Sequence, residues 1–552
     1  MEQDVESRII NRCLDAGVNI APDLLERLSR ESNPLAAIER ILRAVCSRGN
    51  VPAVISCSNV DEDGPAASFS SPSDVALNED VPWTGDAVEP RTGPAPPPPR
   101  RRTKERNKKS PARAHPLPVE GVSTFHPLAR EVEERLDVLV DPTPHLFTNG
   151  DVTDFLSLFN DRFERLERLL RRRRGMNNRM RIAELRAVPA ETEVTIVGLV
   201  TDKRVSKKGN LVVELEDPTG YARFVVSKKN EELSKRSAHL MEDQVICLEG
   251  VLARGESKSR AFIFAKDFYW ANVDPDREKR RAEEKVWAAL ISDVHFGSKN
   301  HLPRLWDRFV DFINGRVHKE RTREIAGAVK YLVIAGDLVD GIGVYPRQEE
   351  ELDIQDIFDQ FRHAERELAK IPEYVKIVYI PGNHEPVRNA LPQPAVPTKY
   401  SGGLVKNLDV VRLGNPSTFS IHGVKVLAYH GDGLIDVNMT IPGLSHERPA
   451  RSMIEFLRGR HLAPTYGKKT ELAPCERDWL VVDEVPDLFH AGHIHVNGVG
   501  HYRGVRLVNS GCFQAQTSFM RSMGINPTPG VVPLTALFEE NLETYELDLK
   551  EV

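Results

Sequence analysis

Val286-Trp287-Ala288-Ala289-Leu290-Ile291-Ser292-Asp293-Val294-His295 decides the fold: an apolar run that ends in an Asp-x-His pair. The chain repeats this device. Gly336-Asp337 follows the apolar run 329–334, Gly382-Asn383-His384-Glu385 follows 375–380, and His430-Gly431-Asp432 follows 424–429. Gly492-His493-Ile494-His495 completes the set. Short apolar, β-branched runs read as buried strands of a mixed or parallel sheet. Sheets of that kind gather ligands beyond the carboxyl ends of their strands, so five blocks distant in sequence can converge on one crevice.

The residue types suit two divalent ions roughly 3.5–4 Å apart, which need a bridging carboxylate with imidazole and carbonyl ligands. Asp293 and His295 alternate along what reads as an extended segment, so that both face one side with Val294 turned away. His493 and His495 repeat that spacing. Asp337 is the natural bridge, and Asn383 can offer a neutral amide oxygen. A lone His or Asp beside a Gly is ordinarily a turn residue; five such blocks in order, most of them preceded by a strand, point instead to one two-metal phosphoesterase site.

These blocks resemble the calcineurin-like metallophosphoesterases. By that resemblance Asp293, His295, Asp337 and His495 hold one ion, while Asp337, Asn383, His430 and His493 hold the other. His384 stays off the metals and, with Asp337, counts as catalytic: in the family that histidine protonates the leaving oxygen, a role that suits an imidazole. The intervening words are more specific. Gly341-Ile342-Gly343-Val344-Tyr345-Pro346, Gln348-Glu349-Glu350-Glu351-Leu352, Glu385-Pro386-Val387-Arg388, Pro392-Gln393-Pro394, Phe513-Gln514-Ala515-Gln516-Thr517 and Pro527-Thr528-Pro529-Gly530 are similar to the archaeal family D DNA polymerase (DNA polymerase II) small subunit. Asp340 departs from the related repair nucleases, which place a histidine three residues after the bridging Asp.

Composition sets the frame. The 552 residues suffice for three or four domains. With 75 Lys and Arg against 81 Asp and Glu, the net charge of -6 carries no global nucleic-acid signature. Six cysteines lack Cys-x-x-Cys spacing, which argues against a zinc ribbon or a disulfide framework and fits a reducing cytoplasm. No apolar run approaches the ~20 residues of a membrane span, so a soluble, cytoplasmic protein without membrane contact is expected.

The spacing predicts a helical module over 1–48. Residues 49–125, rich in Pro, Ser, Ala and Asp and carrying the basic run 100–109, read as a disordered linker. Residues 126–180 read as a helical brace and 181–275 as a five-stranded OB-fold barrel. Residues 285–552 read as a calcineurin-like α/β phosphoesterase β-sandwich, giving a multidomain α+β chain. The barrel is short of aromatic residues, so protein contact ranks above independent DNA binding for it.

The resemblance implies a 3′-5′ exodeoxyribonuclease that proofreads on single-stranded 3′ ends of DNA, with two divalent ions, Mn2+ by family and Mg2+, Fe or Zn as alternatives. The expected partner is the large catalytic subunit of polymerase D, since nothing in the chain resembles a polymerase palm; a sliding clamp is a further candidate. A catalytically silent structural subunit and a stand-alone metallophosphoesterase or repair nuclease are the competing readings. The retained ligand set argues against the first, and the OB-like module with the family-specific words against the second.

Overall fold

A computed structural model describes residues 125–172, 179–254 and 261–552, and before them the helix Pro34–Cys46, two short strands and single positions between Ile9 and Leu28. The chain divides into two compact units, Met1–His115 and Pro116–Val552. In the first, helix Pro34–Cys46 buries Ala37, Ile38 and Leu42 together with Ile9, Cys13, Leu24 and Leu28, the stripe expected of an amphipathic helix. Strand β1 (Asn19–Ile20) pairs in parallel with β2 (Val54–Ile55). The module read as purely helical therefore also holds a strand pair, one member of which lies in the stretch read as linker. Two-residue strands have no alternation to detect. The rest of that stretch up to residue 124, including the basic run 100–109, lies outside the described residues.

In the second unit, β4 (Glu193–Val205), β5 (Leu211–Asp217), β6 (Gly220–Val226), β7 (Val245–Arg254) and β8 (Ala261–Trp270) close into a barrel of order β4-β5-β6-β8-β7. Inward residues such as Ile196, Val213, Leu215, Phe224, Leu248 and Ile263 alternate with outward ones and fill it. Helix Glu231–Ser237 lies between β6 and β7 and is capped by Asn230, whose side chain accepts from Leu233 N at 3.1 Å. Five strands in this order, with that helix, form an OB fold.

Two six-stranded sheets make the body. The first contains β9 (Trp287–Ile291), β10 (Val329–Ala335), β11 (Lys376–Ile380), β12 (Val411–Arg412), β18 (Val531–Ala536) and β19 (Thr544–Asp548), in the order β12-β11-β10-β9-β18-β19. The second contains β3 (Leu136–Val140), β13 (Ser417–Ile421), β14 (Val424–Ala428), β15 (Leu488–Ala491), β16 (Gly498–Tyr502) and β17 (Val505–Asn509), in the order β16-β17-β15-β14-β13-β3. A shared core including Leu290, Tyr331, Val333 and Val378 from one sheet and Phe419, Val426, Leu488 and Val508 from the other joins the facing sides. Every residue of β10 is buried, because helices cover the outer face as well.

The brace expected over 126–180 is helical only in part. Helix Val152–Arg171 is there, opened by a capping box between Asp151 and Asp154. Residues Leu136–Val140 instead pair antiparallel with β13, nearly 300 residues further on, at the edge of the second sheet. The strand is half exposed, so its sequence lacks the apolar alternation that marks a buried face.

Helix Val152–Arg171 docks through Phe163, Leu166 and Leu170 and through Arg162, whose side chain is fully buried. Arg162 Nε donates to Asp478 Oδ2 at 2.7 Å and Nη1 donates to Pro464 O at 2.6 Å; His461 Nε2 also lies 2.9 Å from Asp478 Oδ2. Burial raises the Asp478 carboxyl, but His461 and Arg162 prevail and hold it well below the usual range. Arg162→Ala would strand that carboxylate, and a loss of about 3–5 kcal/mol is expected in urea unfolding. A loss under about 1 kcal/mol, the size of a surface pair, would show that the ion pair does not hold the helix.

Candidate metal centre

The ligand-type residues follow strand ends in both sheets. Asp293 and His295 follow β9, Asp337 follows β10, and Asn383 and His384 follow β11; His430 follows β14, and His493 and His495 follow β15. Since β9, β10 and β11 run parallel, as do β14 and β15, their carboxyl ends open on one side, and all eight residues converge there.

They form two clusters that share one carboxylate. In the first, His495 Nε2 lies 3.3 Å from Asp293 Oδ1 and 3.3 Å from His295 Nε2. In the second, His430 Nε2, Asn383 Oδ1 and His493 Nδ1 stand 3.0–3.1 Å from one another. Asp337 Oδ2 is 3.7 Å from His295 Nε2 and 3.4 Å from His430 Nε2, between the two.

The outer hydrogen bonds fix which atoms face inward. His430 Nδ1 donates to Ala335 O at 2.8 Å and His295 Nδ1 donates to Asp340 Oδ1 at 2.9 Å, which leaves each Nε2 turned to its cluster. Asp293 Oδ1 is buried with no hydrogen bond of acceptable geometry, although an imidazole nitrogen stands near it. Buried carboxylates and ring nitrogens converging this closely need shared positive charge, which protons on His430 and His495 or bound cations can supply. Carboxylate, amide and imidazole donors in two groups around one bridge fit a pair of divalent ions.

Protonation follows the same geometry. Burial disfavours charge on His430, yet the neighbouring Asp337 carboxylate prevails and holds it well above the usual imidazole value. Asp293 acts likewise on His495, which is raised to about 10 in spite of burial. Burial, reinforced by His430, pushes His493 down to about 4, so its lone pair is free near neutral pH.

The extended alternation expected at Asp293 and His295 is not what brings the ligands together. Asp293, His295, Asp337, His493 and His495 all have left-handed backbone, with φ of 52°, 54°, 53°, 68° and 59°. Each such residue costs on the order of 1–3 kcal/mol, a strain typical of binding sites. The segments turn sharply at each of these five residues, and backbone bonds such as Asp293 N to Gly336 O (3.0 Å) and Val294 N to Asp337 O (2.8 Å) lock the turns together. Gly382 permits the closeness, because a Cβ there would collide with Asp337 Oδ1 and the His430 ring.

Supporting residues were less visible in the sequence. Buried Glu385 accepts from Asp337 N (3.0 Å), Leu338 N (2.8 Å), Gly382 N (2.7 Å) and Tyr379 Oη (2.7 Å), pinning two ligand loops together. Burial and then Asp337 push its carboxyl up to about 7. Asp340 is the carboxylate behind His295, and Gln348 Nε2 donates to its Oδ2 at 3.1 Å. Asn415 Oδ1 accepts from His430 N at 3.0 Å. The word after His384 contained Glu385, but a carboxylate next to a ligand block reads as a turn residue until its backbone partners are known.

His384 is half-buried at the cleft. Its backbone N donates to Asp337 Oδ1 at 3.0 Å and its Nδ1 donates to Asp340 O at 2.6 Å, which leaves Nε2 without a bond to either loop. One ring nitrogen lies within 4.8 Å of ligand atoms of His295 and Asp337.

Known proteins match over the same regions. The family of DNA polymerase alpha/epsilon B-type subunits matches residues 288–496, a span that contains all five blocks. An OB-fold nucleic acid binding domain family matches 194–268, within the barrel. A DNA polymerase II small subunit of Methanothermobacter thermautotrophicus is 42% identical over 398 residues, 72% of this chain and 80% of its own length. One from Halobacterium salinarum is 35% identical over 538 residues, 96% of both chains. This chain belongs to the archaeal family D DNA polymerase (DNA polymerase II) small subunits. The polymerase II small subunit of Pyrococcus horikoshii, 41% identical over 69% of this chain, is matched over 61% of its own length. Through the Halobacterium relative the small-subunit likeness covers nearly the whole chain. Among the described residues no helix is long and apolar enough to cross a membrane.

Proposed function

We propose that this small subunit is a 3′-5′ exodeoxyribonuclease of a family D DNA polymerase, removing nucleotides from single-stranded 3′ ends while a large catalytic subunit carries out synthesis. The observation that carries this reading is the pair of acceptor clusters sharing Asp337 at the base of a cleft of about 710 Å³. Asp293, His295, Asp337 and His495 would hold one ion, and Asp337, Asn383, His430 and His493 the other. Bound there, two divalent ions, Mn2+ by family resemblance, supply Lewis acidity and an acidified water at the scissile phosphate.

The remaining tasks fall to the chain itself. Asp340 and the Ala335 carbonyl keep the His295 and His430 rings in the tautomer that presents Nε2. Glu385 and the left-handed turns preset the positions before substrate arrives. His384, steadied through Nδ1 by the Asp340 carbonyl, is placed to protonate the departing 3′ oxygen from Nε2, releasing a nucleoside 5′-monophosphate.

Metal analysis of the purified chain, paired with shortening of a labelled single-stranded oligonucleotide, tests this reading. Bound divalent metal with stepwise loss from the 3′ end is expected. A folded chain that takes up no Mn2+ and shortens nothing would instead be a structural subunit.

The partner is the large polymerase subunit, docked through the barrel and the two-sheet body. A stable interface needs ~800 Å² of ordered surface per partner. Deleting residues 1–120 should therefore leave co-purification and primer extension intact after co-expression with the large subunit. Loss of the complex with residues 180–552 still folded would place the main dock in the N-terminal module.

A further inference from the structure

The cleft over the metal centre carries two rings that the hydrolytic reading does not use. Tyr345, in the loop after Asp337, and Phe519, on the short helix Ser518–Ser522, both line it. Phe519 is 65% exposed and Tyr345 37%. Both rings are held outward by their surroundings. The next residue, Met520, is buried in the core, its N–H bonded to Thr517 Oγ1 at 3.2 Å, and Gln516 Nε2 donates to Ile525 O at 2.8 Å across the loop. Phe519 is thereby turned to solvent at the cleft. The Tyr345 loop is anchored by fully buried Gln348, which donates from Nε2 to Asp340 O at 2.8 Å and accepts from Val344 N at 2.9 Å. Tyr345 Oη donates to Glu351 Oε2 at 3.3 Å, and its ring stands edge-on to the His384 ring, centroids 6.4 Å apart.

We infer that Tyr345 and Phe519 form a stacking subsite for unpaired nucleobases, which confines the cleft to single-stranded 3′ ends of DNA. The inference rests on the nuclease reading of the metal centre and adds to it the side chains that would grip the unpaired end. Three features point to bases. Every nucleobase offers a face to an exposed ring, so the subsite tolerates any sequence. Tyr345 borders His384, so its ring lies on the side where the leaving 3′ oxygen and its own nucleoside depart. The wall is also poor in cations: among the described lining residues Arg347 is the one arginine or lysine, beside Glu350 and Glu351. A duplex would bring a second phosphate strand to carboxylates, and its bases are already paired and stacked; a frayed or mismatched end has free base faces and one backbone.

The test titrates the full-length chain into a single-stranded oligonucleotide with 2-aminopurine at its 3′ end, with Ca2+ present to slow cleavage. Stacking on a ring quenches this base. The unaltered chain is expected to bind with quenching, and Tyr345→Ala with Phe519→Ala to relieve the quench and weaken binding on the order of tenfold per ring. Tyr345→Phe with Phe519→Trp should keep both. Under cleaving conditions, the double alanine variant should lose more efficiency on single strands than on a small chromogenic phosphodiester, through KM rather than kcat. Unchanged quenching and affinity in the double alanine variant would overturn the subsite. Ring-dependent quenching without cleavage by the unaltered chain would leave the subsite standing and remove the nuclease reading instead.

Discussion

Asp337→Ala is expected to strip both ions and reduce exonuclease activity to background, the largest effect of any single substitution at the site. Its Oδ2 lies 3.7 Å from His295 Nε2 and 3.4 Å from His430 Nε2, so its removal takes charge from both clusters at once. Oδ1 is engaged too, accepting from His384 N at 3.0 Å, and its loss would free the loop that carries His384. Asp293 Oδ1 stands 3.3 Å from His495 Nε2 and its Oδ2 accepts from the His493 backbone N at 3.0 Å, so Asp293→Ala should lower metal content while leaving Asp337, Asn383, His430 and His493 to hold one ion. The fold should survive Asp337→Ala, because Glu385 in the same pocket is held near neutrality partly by the Asp337 charge and would be relieved by its removal. Metal content by mass spectrometry and shortening of a 3′-labelled oligonucleotide, with circular dichroism as the control, measure these outcomes. An activity loss below tenfold, or retention of both ions, would remove Asp337 from the bridge.

What the sequence made legible was which residues gather at the candidate site, because Asp293, Asp337, Asn383 and His430 each stand one to three residues beyond an apolar run that ends a buried strand. What it hid was how they face one another. Asp-x-His and His-x-His look alternating on paper, and only the left-handed φ at all four residues shows that the chain turns at each of them. Turn chemistry of this kind is invisible to apolar periodicity, since Asp and His adopt the left-handed region without the glycine that would announce it. The supporting carboxylates were hidden for another reason. Glu385 acts on backbone N–H groups of a loop 47 and 48 residues away, and a long-range role of that kind leaves no local pattern. The edge strand β3 was masked likewise: its partner β13 lies far along the chain, and its exposed face carries no alternation. The barrel was legible because its five strands are separated by turn residues and alternate inward and outward.

The second large effect is expected at His384. His384→Ala should retain both ions yet lose roughly 10²–10⁴ in rate, the usual range for a general acid. The geometry sets two alternatives against each other. Nδ1 is committed to the Asp340 carbonyl at 2.6 Å, so Nε2 is the one ring nitrogen left to act, and it can carry a proton for the leaving oxygen or lend a lone pair to a cation. A ring nitrogen within 4.8 Å of ligand atoms of His295 and Asp337 is near enough for the second role, but the first cluster is already served by Asp293, His295, Asp337 and His495. Substrates with a good leaving group separate the alternatives, since departure of such a group needs no proton. On a p-nitrophenyl ester of thymidine 5′-monophosphate, His384→Ala should recover most of the rate it loses on DNA. Metal analysis of the same preparation must then find both ions present. If metal is lost, or the activated ester is cleaved as poorly as DNA, His384 is a ligand and the proton for the 3′ oxygen must come from elsewhere.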